Sequence, residues 1–169
     1  HSSVRGDEMA AKRKATGTAV HTVDDRDSVE ITADPLMIGA LASKVVCPTA
    51  GGIATFIGTT RDTFEGKRVL RLEYEAYQPM AEQEMLAICQ RMRERWPLRH
   101  IAFAHRTGVV PIAESSVEIA VSSSHRKEAL AAVHFAIDEL KKKVPIWKKE
   151  IYEGDEASWK QNKEWLQPE

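Results

Sequence analysis

The stretch that most restricts how this chain folds is Leu140–Glu150, Leu-Lys-Lys-Lys-Val-Pro-Ile-Trp-Lys-Lys-Glu. It closes an amphipathic helical pattern, breaks at Pro145, and restarts on Trp147 flanked by more cations. A proline inside a helix costs about 3 kcal/mol, so the helix must end before it. Pro145 therefore fixes a bend, with Lys141 before it and Lys148 after it placed to face one pocket from two directions. Five lysines, a core-type aromatic and a proline in so short a span fit a solvated surface poorly. An anionic substrate is the expected occupant.

The size and charge of the chain bound the remaining possibilities. Its 169 residues suit one domain, expected over 29–169, preceded by a polar, aperiodic arm over 1–28 that reads as flexible. A formal charge of −1 gives no global field toward nucleic acid or membrane, so any affinity for anions must be local. No apolar run approaches the roughly 20 residues that span a bilayer. Nothing in the sequence argues for export, and the expected setting is the cytoplasm. Cys47 and Cys89 lie in apolar helical patterns without Cys-x-x-Cys spacing, so each is expected as a buried free thiol.

The elements follow from periodicity. Strands are expected at Val29–Thr32, Ile53–Thr60, Val69–Tyr77, His100–Thr107 and Val117–Val121, the third and fifth alternating apolar with charged residues as half-buried antiparallel strands do. Asp34 before Pro35 predicts a helix start, with Leu36, Ile38, Leu41, Val45 and Val46 as its apolar residues. A second helix opens at Pro79 on a stripe of Met80, Met85, Ile88, Cys89 and Met92. A third starts at Ser123 or Ser124 and carries Leu130, Val133, Ile137 and Leu140. Ile151-Tyr152 is expected as strand or extended chain, and 157–166 as a short helix anchored by Trp159 and Trp165. The mix is α+β, with mostly antiparallel strands and helices on one side of the sheet.

Four cationic groupings stand out. His125, Arg126 and Lys127 crowd the first turn of the third helix, where the helix dipole disfavours cations unless an anion docks on the free N–H groups. Splaying into water, with pairing to Glu128, remains the alternative. Lys141, Lys142 and Lys143 are at a helix end where cations are common. Lys141 alone lies on the flank of the buried face, where partial desolvation would lower its pKa and make it a base or nucleophile. Trp147-Lys148 taken alone reads first as core packing beside a snorkelling lysine. Arg61 ends an apolar strand, as either a functional side chain or a solvated terminus, and His105 reads as a structural histidine. The sequence shows no metal-ligand spacing, no phosphate-binding glycine loop and no nucleophile elbow, and its basic residues do not interleave with exposed aromatics as nucleic-acid binders' do.

Five segments together resemble a known family: Gly58-Thr59-Thr60-Arg61, Leu72-Glu73-Tyr74-Glu75-Ala76-Tyr77, His105-Arg106-Thr107-Gly108, Ser123-Ser124-His125-Arg126 and Lys143-Val144-Pro145-Ile146-Trp147-Lys148-Lys149-Glu150. Their order and wording, from about Glu30 to Trp165, are similar to the large, catalytic subunit of molybdopterin synthase, and most similar to eukaryotic members. The resemblance implies an α/β hammerhead-type α+β fold, a homodimer, and a ubiquitin-like sulfur-carrier subunit docked at each end of a heterotetramer. The carrier's C-terminal Gly-Gly thiocarboxylate would give sulfur to cyclic pyranopterin monophosphate, making the dithiolene of molybdopterin. No resident cofactor or metal, nucleic acid or membrane is implied. Carried over by motif, the essential lysines fall on Lys141 and Lys148, and the substrate-binding residues on Arg61, His125, Arg126, Lys149 and Glu150. A non-enzymatic module that binds an acidic partner tail is the alternative from another class.

Overall fold

The computed structural model describes residues 24–154 and, as backbone alone, 158–161. Strand β1 (Asp27–Thr32) leads to a 3-10 segment (Ala40–Val45), then β2 (Gly52–Thr59), the short β3 (Thr63–Phe64) and the long β4 (Lys67–Ala76). Helix α1 (Gln78–Arg95) is followed by β5 (Leu98–Arg106), β6 (Gly108–Pro111) and β7 (Ser115–Ser123). Helix α2 (Arg126–Lys143) then feeds β8 (Ile146–Tyr152), and β9 (Ser158–Gln161) closes the described chain.

The strands form two sheets. One is four-stranded in the order β1-β5-β7-β2, antiparallel except for the parallel β1–β5 pair. The other runs β3-β4-β8-β9, with β6 also on β4, and all its pairs are antiparallel. Both long helices pack on one face of the first sheet. Met85, Ile88 and Met92 of α1 and Val133, Ile137 and Leu140 of α2 share a core with Phe103, Ile119 and Val121 of the strands. Each such side chain contributes about 1.5–3 kcal/mol on burial. On the opposite face, the 3-10 segment lays Leu41 and Val45 on Ala102, Ala104 and Ala120, whose small side chains permit the close approach.

Arg93 ties α1 to the start of β1. Its guanidinium lies 2.6 Å from Asp27 and also donates to the Leu98 and Arg99 carbonyl oxygens. Strand β1 thus begins two residues earlier than periodicity predicts. The expected arm, apart from 24–28, lies outside the described residues.

Several expected features are corrected. The helix predicted after Asp34 is only the 3-10 segment at Ala40–Val45, because Gly39 precedes it in the left-handed region at φ 83° and no side chain caps it. Ile38 and Val46, expected among its apolar residues, are exposed. Met80 and Leu130 are exposed as well, and alanines at 81, 129, 132 and 136 take the buried positions beside the larger residues. Helix α2 starts at Arg126, since Ser123 still belongs to β7. Cys89 is buried as expected, whereas Cys47 is only half-buried, 3.1 Å from the Thr49 hydroxyl. Ser158–Gln161 is a strand paired with β8 rather than helix, and the rest of the helix expected over 157–166 lies outside the described residues.

Candidate functional site

The end of α2 and the start of β8 are joined by two residues, Val144 and Pro145, both buried. The Val144 N–H still bonds to the Leu140 carbonyl at 3.1 Å, and the Tyr77 N–H donates to the Pro145 carbonyl at 3.4 Å. The helix therefore turns directly into a strand that pairs with β4, with Tyr74 opposite Lys148 and Leu72 opposite Glu150. Strand alternation sends Lys148 and Glu150 to one face and Lys149 to the other.

That face closes a cavity of about 550 Å³ between the two sheets and the last turn of α2. Lys141, Lys148, Glu150 and Arg61 all line it. Lys141 comes from the helix end and is exposed at the mouth, and among the described residues it has no ion-pair partner. The partial desolvation expected for it is therefore not supplied by its own chain. Lys148 is 3.4 Å from Glu150, a carboxylate only 3% exposed that also accepts from the Tyr152 hydroxyl. Glu150, expected among the substrate-binding residues beside Lys148, is an acceptor there and fixes that ammonium. Arg61 follows β2, exposed, with its guanidinium 5.5 Å from the Phe64 ring centre.

His125 and Arg126 are at the opposite end of α2. Fifteen residues separate Arg126 from Lys141, about 22 Å along a helix axis. They do not line the cavity of their own chain, and neither does Lys149.

The cavity also contains residues that the cationic pattern did not single out. Tyr74 donates to the Ser116 hydroxyl at 3.3 Å, and its ring meets His105 edge to face at 5.0 Å. His105, expected to be structural, is buried and lines the cavity all the same. Its Nδ1 is 2.9 Å from the Arg106 carbonyl oxygen, which can only accept, so Nδ1 carries the proton. Burial outweighs that hydrogen bond and pushes the imidazole from its usual 6.5 down to about 4, leaving it neutral. Burial raises the Tyr74 phenol, so it stays protonated. Ser116 reaches the cavity through a bulge: Gly58 pairs with Val117 and Thr59 with Ser115, so Ser116 is skipped. Bulges re-aim side chains in this way. The inward alternation of Leu72 and Tyr74 was readable in the sequence, but the bulge and the cross-strand register were not.

Residues 31–143 match the family described as MoaE protein. The chain is 56% identical over 139 residues to the molybdopterin synthase catalytic subunit of Rattus norvegicus, covering 82% of this chain and 70% of that one. Its fold is similar to molybdopterin synthase from Staphylococcus aureus, with a TM-score of 0.73 and 38% identity over 77% of this chain and 94% of that one. It also matches a protein–protein complex of subunits 1 and 2 of molybdopterin-converting factor from Helicobacter pylori 26695, with a TM-score of 0.63 and 20% identity over 75% and 86% of the two chains. The chain therefore belongs to the MoaE family, that of the catalytic subunits of molybdopterin synthase.

Proposed function

We propose that this cavity is where a thiocarboxylated, ubiquitin-like sulfur carrier gives its sulfur to cyclic pyranopterin monophosphate, forming the dithiolene of molybdopterin. The observation that carries the reading is the convergence on one hollow of Arg61, after β2, with Lys141 and Lys148 from either side of the Pro145 bend. Sulfur transfer must bring a phosphate and a thiocarboxylate together. Two unit anions 4 Å apart repel by about 4 kcal/mol at an effective dielectric of about 20, so cations must offset that before the carbon and sulfur can meet. Lys148, fixed by Glu150, supplies a held positive charge for the negative charge developing in transfer. Lys141 is the acid/base or transient covalent amine. Arg61 holds phosphate, and the docked carrier tail supplies the water exclusion that the single chain lacks.

The unit is a homodimer with one carrier on each outer side, and the second copy brings His125 and Arg126 to the cavity that their own chain cannot reach. Lys149 is assigned beside Lys148, on the strand face turned toward that second copy. The two-subunit complex matched in fold supports a small partner subunit. Among the described residues no helix is long and apolar enough to cross a membrane, and the free thiol of Cys89 suits the cytosol. The binding-module alternative has no support, since the relatives of high identity are named catalytic subunits. Lys141→Ala should lower dithiolene formation from thiocarboxylated carrier by at least about 100-fold while leaving the fold and carrier affinity unchanged. Near-native turnover in that variant would overturn the assignment.

A further inference from the structure

The floor of the cavity differs chemically from its rim. The Tyr74 hydroxyl donates to Ser116 Oγ at 3.3 Å, and the Ser116 hydroxyl donates to the Gly58 carbonyl oxygen at 3.3 Å. His105 donates Nδ1–H to the Arg106 carbonyl oxygen at 2.9 Å. Every polar proton these three side chains carry is thus committed inside the protein. What remains are lone pairs on Tyr74 Oη, Ser116 Oγ and His105 Nε2. All three residues line the same cavity, two of them as rings in edge-to-face contact. Phosphate and thiocarboxylate are themselves acceptors, so they find no donor on this floor and are drawn to Arg61, Lys141 and Lys148. The complement of the floor is a flat, uncharged edge that carries N–H groups.

We infer that Tyr74, Ser116 and His105 form an acceptor-only subsite that receives the N–H edge of a neutral heterocycle while the cationic rim holds its phosphate. This rests on the cavity being the pterin-phosphate site, and it states which end of that substrate points inward. An aminopyrimidinone edge, with a ring N–H and an exocyclic amine, offers the required donors. A site built to pair with such groups rejects an analogue that lacks them, because its own polar atoms are then left unpaired. These three residues therefore determine specificity, separately from the lysines that carry the transfer.

The test is steady-state turnover with thiocarboxylated carrier, comparing cyclic pyranopterin monophosphate with its analogue lacking the exocyclic amine. Wild-type protein should show a KM for the analogue higher by about tenfold or more. Tyr74→Phe and His105→Phe keep both rings but remove one acceptor each; each should raise the KM for the natural substrate about tenfold and pull the preference between the two compounds toward unity. The inhibition constant of inorganic phosphate should stay within about twofold of wild type, since phosphate binds at the rim. Equal KM values for the two compounds in wild-type protein would overturn the subsite, and this arm stands even where a variant does not fold. Variants with wild-type KM and preference would overturn it as well. Wild-type protein that converts neither compound would instead remove the functional reading, and the subsite with it.

Discussion

His105 shows how much a single side chain is altered by where the sheet puts it. In water its imidazole titrates near 6.5, but against the Tyr74 ring of β4 burial pushes it down to about 4. Between those values the unfolded chain binds a proton that the folded chain refuses. Stability from this group is therefore complete above about 6.5, declines as pH falls toward 4, and changes no further below that. The whole window amounts to about 3 kcal/mol. Thermal unfolding of wild type and His105→Phe at pH 7 and pH 5 checks this. Wild type should lose several degrees more than the variant on acidification, and parallel losses would show that another group titrates. Lys148 and Lys141 make the opposite contrast. The first is held by a buried carboxylate and is a fixed charge; the second has no such tether, which suits an amine that must move a proton or form a bond.

At the scale of elements, the bulge between β2 and β7 positions the floor, and Gly58 makes the bulge possible. A Cβ at Gly58 would lie 2.7 Å from Val117 Cγ1, closer than carbon atoms approach, with the Phe56 ring beyond it at 3.4 Å. Gly58→Ala should therefore destabilise the protein by about 1–3 kcal/mol, lowering the melting temperature by about 5 °C, and should weaken substrate binding by displacing Ser116. An unchanged melting temperature would mean that the strands absorb the methyl freely. The strands from β1 to β7 that alternate strongly were legible, as was the end of α2 at Pro145, whereas β8 was expected only at Ile151-Tyr152 and β9 as helix. The helix expected from Leu36 was misread: its apolar residues have helical spacing, but Gly39 breaks the run and leaves a 3-10 segment. Leu130 and Met80 were misplaced for a related reason. Alanines take buried positions beside the larger core residues of the helices, and Met80 and Leu130 are turned outward. At the site, the lysine pair could be read from the bend alone, whereas Ser116 depends on a register slip and Tyr74 on which strand lies opposite. The alternation gives Tyr74 its face, but neither the slip nor the cross-strand partner leaves a mark in composition or period.

For the whole molecule, the length of α2 sets the problem that assembly must solve. Lys141 is at one end, and His125 and Arg126 at the other, about 22 Å apart by helical rise. A single cavity of about 550 Å³ does not bridge that distance. In the proposed dimer each site takes Lys141 from one protomer and Arg126 from its partner, and two-fold symmetry then makes two identical sites. Chains carrying Lys141→Ala and chains carrying Arg126→Ala should each be inactive as pure dimers, because both sites would then lack one residue. Mixed by unfolding and refolding together, half the dimers combine the two chains. Each mixed dimer then has one intact site and one lacking both residues. Turnover per chain should recover to about a quarter of wild type, with neither parent alone above background. Size-exclusion chromatography of the mixture checks that dimers form, and the dithiolene product measures the recovery. Absence of recovery in a mixture that does dimerise would overturn the shared site.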